Sequence, residues 1–335
     1  MKIILYFTYL FLLISCTKDV PRSKVIKGDA FGTTYSINFY SDNEFDIDKG
    51  IDSIFYVVNK SVSTYQENSD ISRINRGDTM VVVDKIFIDN YNISWEVYNR
   101  SHGYFDPTIG VLRNAYGFGD TEPILKIDQH ILDSLLNYVG FQKLKLTSKN
   151  TILKEYSQIY IDFNAVAKGY GIDCIGEYLD AQGVSDYLIE LGGEILAKGK
   201  NLENQKSWIV GIETVDSNLV DRNYSVKVSL MDIAMASSGN YRKFRINPVT
   251  GEKYVHTINP LNGKAEKSDV TSATVLATTC AYADAYATAF MALGVERSIE
   301  LLKELENIEA YLTYTNTDNK QQVYITEGFK KYLSE

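Results

Sequence analysis

YIDFNAVAKGYGIDCIGEYLDAQGVSDYLIELGGEILA, residues 160–197, places three elements in immediate succession. Tyr160–Phe163 has the aromatic and β-branched content of a short strand, running into Asn164. From Ala165 the sequence reads as a helix closed by Gly183, because glycine adopts the left-handed conformation that ends helices. Tyr187–Leu191, Gly192-Gly193 and Glu194–Ala197 then form a β-hairpin, the paired glycines supplying its tight turn. A helix leading into a hairpin argues for α+β rather than a strictly alternating parallel sheet.

The flanking sequence repeats this mixture. Thr33–Tyr40 is a strand, and residues 47–60 carry apolar positions at helical spacing. Residues 86–100 form a second helix, 111–123 a Gly-rich loop, and 128–139 a helix with Asp128 as its cap. Strands follow at Ser207–Glu213, Tyr224–Leu230, residues 252–259 and Val270–Ala277. Helices at 281–293 and 295–305 precede closing strands at Ala310–Tyr314 and Gln322–Thr326. No internal repeat or low-complexity tract interrupts the chain.

The formal net charge of −9 argues against nucleic acid as a partner, since phosphate backbones are met by clustered Lys and Arg. Residues 3–14, IILYFTYLFLLI, follow a single Lys2. A membrane-spanning helix needs about 20 such residues, so this shorter run reads as a signal-peptide core. It ends at Leu13-Ile14-Ser15-Cys16, which resembles the bacterial lipobox. Residues 1–15 are therefore expected to be removed, Cys16 to carry acyl chains, residues 16–27 to form a lipidated tether, and 28–335 to form the folded domain. Cys174 and Cys280 are too few for a disulfide framework and lack metal-ligand spacing.

Familiar phosphate cradles and zinc motifs are absent: there is no G-x-G-x-x-G opening a helix, no P-loop and no H-E-x-x-H. Three weaker signals remain. In Ala283–Phe290, ADAYATAF, Asp284 and Thr288 share one helical face and offer hard oxygen ligands suited to Mg²⁺. On spacing alone, an ordinary helix whose Thr288 bonds back to its own backbone is the better reading. Asp162 through Gly169 starts a helix, whose free N–H groups favour an anion. Locally, a simple cap with a solvent-facing Lys168 reads better. His256, in Tyr254-Val255-His256-Thr257-Ile258-Asn259-Pro260, is placed to act as a general base, although such a histidine is more often structural.

Together these segments resemble the ApbE family of FAD:protein FMN transferases, over residues 28 to 328. The matching stretches are Phe31–Ser36; Ser63-Thr64-Tyr65 with Ser69–Asn75; Gly103–Gly110 with Tyr116–Gly119; Asp162–Asp173; Leu191–Glu194; Ser238–Tyr241; His256–Pro260 with Gly263; and Ala283–Thr288. The resemblance implies a two-lobed α+β fold with mixed and antiparallel sheets and FAD, as substrate, in the inter-lobe cleft. It implies flavin-nucleotide contacts at Phe31, Tyr65, Tyr104, Phe105, Asp106, Asp162, Lys168 and Ile258. Mg²⁺ ligands are implied at the Ala165 carbonyl, Asp284 and Thr288, with His256 catalytic. Phe31 stands where family members often carry Met, and Asn240 and Asn259 stand where aspartates are common. The implied reaction transfers FMN to a threonine hydroxyl of an acceptor with a Ser/Thr-rich site, expected to be a membrane redox subunit, and releases AMP. Water in place of threonine would make an FAD diphosphatase; loss of a metal ligand or base would leave a flavin-binding lipoprotein.

Overall fold

The structure, a computed structural model, describes residues 21–213, 224–239, 244–246, 251, 253–255, 257–265 and 268–334. Cys16 and the expected signal peptide, His256, Asn240 and Tyr241 lie outside the described residues. The first half runs β1 (Ser23–Ala30), β2 (Thr33–Tyr40), α1 (Ile47–Val62), α2 (Asp70–Asn75), α3 (Lys85–Arg100), α4 (Gly110–Ala115), α5 (Gln129–Leu136), β3 (Leu144–Leu146) and β4 (Ile152–Lys154). It continues through α6 (Ala167–Ala181), β5 (Tyr187–Leu191), β6 (Glu194–Lys198), β7 (Trp208–Glu213), β8 (Tyr224–Leu230) and β9 (Ile233–Gly239). The chain ends with β10 (Phe244–Ile246), β11 (Lys253–Val255), β12 (Val270–Ala277), α7 (Cys280–Leu293), α8 (Val295–Leu302), β13 (Glu309–Thr315), β14 (Gln321–Ile325), α9 (Glu327–Lys330) and β15 (Leu333–Ser334).

Among the described residues the largest sheet has eight strands, in the order β1-β2-β5-β6-β9-β12-β13-β14, with each neighbouring pair antiparallel. Side chains alternate between its faces with period two. Ile195, Ala197, Met235 and Leu276 point to one side and pack with Trp208, Val228, Leu230 and Phe329 of the small β15-β8-β7 sheet and α9. Ala234, Ala236, Val275 and Ala277 point to the other, where α6 and α7 lie. Small residues on that face let α7, itself alanine-rich, sit close to the sheet.

The α+β class with antiparallel sheets is as expected, and several local boundaries are not. β1 begins at Ser23, inside the stretch read as tether, and pairs with β2 from Ser23↔Tyr40 to Ala30↔Thr33. It is an edge strand carrying Lys24 and Lys27, and such polar, charged edges look like linkers in sequence. Tyr160–Phe163 is not a strand; it makes a single parallel bridge from Tyr160 to Ile109. Its backbone is claimed elsewhere: Asn75 accepts from Ile161 N–H at 2.7 Å and donates to the Ile161 carbonyl at 2.8 Å, and Asp162 N–H donates to Pro107 O at 2.7 Å. The following helix starts at Ala167, after a turn over 164–166. Part of the expected loop at 111–123 is α4, held by the buried Leu112. Of the expected strand at 252–259, Lys253–Val255 form β11, and Ile258 lies outside it. β9 escapes a sequence reading because IAMASSG is rich in small and polar residues, yet it is a central strand whose Ala234, Met235 and Ala236 are buried.

Candidate active site

Gly169 brings α6 and α7 together. A Cβ at this position would stand 2.4 Å from the Cys280 carbonyl oxygen and 2.8 Å from Ala281 N, so only glycine permits the approach. The contact puts the first turn of α6 against Asp284, which is 5% exposed. Gly169 N–H makes a long hydrogen bond of 3.4 Å to Asp284 Oδ2 and none back to the Ala165 carbonyl four residues earlier. Burial raises the Asp284 carboxyl above its ordinary range, against the opposing pull of the Lys168 charge and the Gly169 N–H. Thr288, one turn along α7, and Ala165, in the turn before α6, are both half-buried. A desolvated carboxylate, a backbone carbonyl from the turn before α6 and a hydroxyl one turn along α7 are hard oxygen donors of the kind that fit Mg²⁺. No cluster of three His, Cys, Asp or Glu with metal-binding geometry occurs among the described residues, and a set built on one carboxylate would not form one.

Lys168 pairs with Glu194, the first residue of β6, whose side chain is almost completely enclosed. Lys168 is thus paired with one buried carboxylate, Glu194, and its charge also acts on a second, Asp284. On the other side of the same loop, Asp162 pairs with Arg113 from α4, and Arg113 also donates to the Tyr65 hydroxyl at 2.6 Å. Burial works against the guanidinium charge; Asp162 and Tyr65 outweigh it and raise the Arg113 pKa. Asp162 additionally accepts from Asn164 N–H at 2.8 Å.

Asp106 is buried and internally satisfied. Its Oδ1 accepts from Thr108 N–H at 2.8 Å and the Thr108 hydroxyl at 2.6 Å, and its Oδ2 from Phe141 N–H at 3.2 Å. Burial, against these donors, pushes its carboxyl up to about 6. Asp106 thus pins its loop to the turn ahead of β3. Phe105 is 4% exposed and packs with Val166 and α7, while Tyr104 lies partly exposed under Arg297, 5.3 Å from guanidinium to ring centroid. A cavity of about 290 Å³ opens beside Tyr104, lined also by Thr257, Asn259, Asp269 and Arg297.

Phe31 and Gly32 form the two-residue turn between β1 and β2, with φ of +51° and +76°. Such a conformation is unusual for phenylalanine. Its ring is held edge-on to Phe55 at 5.2 Å and against Gly171 of α6. Ile258 is buried with Leu112, Tyr116 and Leu132 in a separate apolar cluster.

The ApbE family model matches residues 31–312 of this chain.

The chain belongs to the ApbE family.

It is 30% identical to the FAD:protein FMN transferase of Vibrio cholerae over 97% of both chains, and 32% identical to that of Haemophilus influenzae over 95% of this chain and 94% of the relative. The solved structure of the flavin transferase ApbE from Vibrio cholerae superposes with a TM-score of 0.82 at 29% identity, covering 93% of this chain and 99% of that one.

In this ApbE-family chain the residues expected at the site fall into groups. Lys168 and Asp284 lie where α6 meets α7, with Ala165 in the turn before α6, Thr288 one turn along α7 and Phe31 against the next turn of α6 at Gly171. Asp162 and Tyr65 are joined through Arg113. Tyr104 and Phe105 pack on the core that holds Val166, whereas Ile258 belongs to another cluster. Sequence reasoning assigned no role to Arg113, Glu194 or Asn75. The last two sit inside matched motifs, which was the available signal; Arg113 lies in a segment read as loop and carried none.

Proposed function

We propose that this chain transfers the FMN half of FAD to an acceptor protein's hydroxyl, that of a threonine, releasing AMP. Family membership and relatives named FAD:protein FMN transferase along essentially the whole chain support the reaction class. The observation that carries the reading is the Asp284–Gly169 contact beside Lys168, which sets a buried carboxylate, a fixed cation and a helix N-terminus at one point. FAD is proposed to lie in the inter-lobe cleft that the family resemblance implies.

The acceptor oxygen attacks the phosphorus on the FMN side, the anhydride P–O bond breaks, and AMP carries away the electron pair. A threonine hydroxyl needs its proton removed to attack, and His256 is the proposed acceptor of that proton. Lys168 offsets phosphate charge, and the N–H groups opening α6 favour the same anion. Mg²⁺ held by Asp284, Thr288 and the Ala165 carbonyl would stabilise negative charge on the dividing diphosphate. Tyr65, fixed by Arg113, and Phe31, fixed by Phe55, are the proposed aromatic contacts for the nucleotide, with Tyr104, Phe105, Asp106, Asp162 and Ile258 framing it.

We also place the protein on a membrane through acylated Cys16, facing a membrane redox acceptor with a Ser/Thr-rich site. The test is incubation with FAD, Mg²⁺ and candidate acceptors, followed by in-gel flavin fluorescence and intact-mass measurement. Acceptor gaining the FMN mass is the expected result. AMP release with no acceptor modified would replace the transferase with an FAD diphosphatase. His256→Asn should slow transfer by roughly 10²–10⁴-fold with FAD still bound.

A further inference from the structure

Glu194 is 3% exposed and opens β6 directly after Gly192-Gly193, whose φ angles are +62° and +95°. Gly193 N–H donates to Glu190 at 2.7 Å, which helps fix the backbone at this turn. One Glu194 oxygen, Oε1, is taken by Lys168; the other, Oε2, is buried and has no hydrogen-bond partner. Buried polar atoms are nearly always satisfied, and an unmet carboxylate oxygen is among the costliest exceptions. A residue that keeps such an atom in place is suited to meet its partner on a ligand.

The chemistry of that partner is constrained. A carboxylate oxygen only accepts, so an organic ligand meets it with O–H or N–H. A phosphate or a ring carbonyl would repel it. Lys168, paired with Glu194 and acting on Asp284 through its charge, stands where nucleotide phosphate charge is neutralised under the proposed reaction. In FAD the donors nearest the diphosphate along the covalent chain are hydroxyls, of the ribityl chain on one side and of ribose on the other.

We propose that Glu194 is a substrate-binding residue whose Oε2 accepts a hydrogen bond from a sugar-alcohol hydroxyl of FAD, beside the phosphate that Lys168 neutralises. This rests on the reading of the chain as an FAD-using transferase. Lys168 then has two tasks at once: it pairs with Glu194 Oε1, which leaves Oε2 for the ligand, and faces the phosphate with its own charge.

The test measures dissociation constants of FAD, FMN and ADP by calorimetry for wild type, Glu194→Gln and Glu194→Asp, with melting curves for each. Glu194→Gln keeps the side-chain shape and turns an amide N–H₂ toward the ligand while Lys168 keeps the oxygen. It should weaken FAD about tenfold or more, the range for loss of a charge-assisted bond. One fragment should weaken by the same factor and the other not at all: FMN if the hydroxyl is ribityl, ADP if it is ribose. Glu194→Asp keeps the charge and withdraws the oxygens by one methylene, and should show the same split even if the Gln variant melts early. Unchanged FAD affinity in both variants would overturn the proposal while leaving the transferase reading intact. Equal weakening of FMN and ADP would also overturn it, since that pattern marks a charge effect through Lys168 alone. A wild-type chain with no FAD affinity would remove both readings together.

Discussion

The backbone N–H of Gly169 reaches the Asp284 carboxylate at 3.4 Å, across a contact too tight for any side chain at position 169. The proposed metal ligand and the proposed phosphate-facing helix terminus are therefore one structural unit. Disturbing the glycine should disturb both.

Gly169→Ala places a methyl group 2.4 Å from the Cys280 carbonyl oxygen, a backbone atom that cannot swing aside. Overpacking of this kind typically costs about 1–3 kcal/mol. Urea denaturation should show that loss, and calorimetry should show Mg²⁺ affinity falling with it. A variant with wild-type stability and full Mg²⁺ binding would mean that the helices part without consequence.

Asp284→Asn tests function against stability. Burial raises the Asp284 carboxyl, so its charge is held at a cost to the fold. Replacing it with a neutral side chain of the same shape should keep or raise the melting temperature in EDTA, while Mg²⁺ binding and FMN transfer are lost. A variant that melts well below wild type in EDTA would instead assign Asp284 a structural role.

Arg113→Met should be strongly destabilising. The Arg113 and Asp162 side chains are 19% and 4% exposed, so removing the cation strands a buried carboxylate. Breaking one half of such a pair costs about 3–5 kcal/mol. Arg113→Met with Asp162→Asn should recover much of the loss, because no charge is then left unpaired. Equilibrium unfolding of both variants checks this, and non-recovery in the double variant would locate the effect in packing.

Asp106 gives the stability curve a predictable slope. Its carboxyl titrates at about 6 in the folded chain against an ordinary 3.8. The folded state thus binds the proton more tightly, and unfolding releases it between these values. Stability from this group is greatest below pH 4 and declines as pH rises through about 6. Asp106→Asn should flatten the pH dependence of unfolding in that window. An unchanged slope would show that Asp106 ionises at its ordinary pKa despite its burial.

Local sequence determined a good deal about this protein. The hairpin at Tyr187–Lys198 follows from Gly192-Gly193, α5 from its Asp128 cap, and α7 from an apolar run behind Thr279. Asp284 and Thr288 share a face because helical geometry is periodic. The order of the motifs carried the family, which the match over residues 31–312 bears out. What sequence could not fix is where backbone groups go when a side chain outbids the sheet. Asn75 takes both polar groups of Ile161, 86 positions away in the chain, and so turns an apparent strand into a loop aimed at Arg113. It could not show that Lys24 and Lys27 decorate an edge strand, or that IAMASSG becomes a central one, because burial there is conferred by neighbours distant in sequence. The same holds at the site. Glu194 and Lys168 are 26 residues apart, and Asp284 and Gly169 are 115 apart. Only tertiary packing, through a glycine that lets two helices touch, makes those four residues neighbours, since charge and hydrogen-bond interactions depend on distance in space and not along the chain.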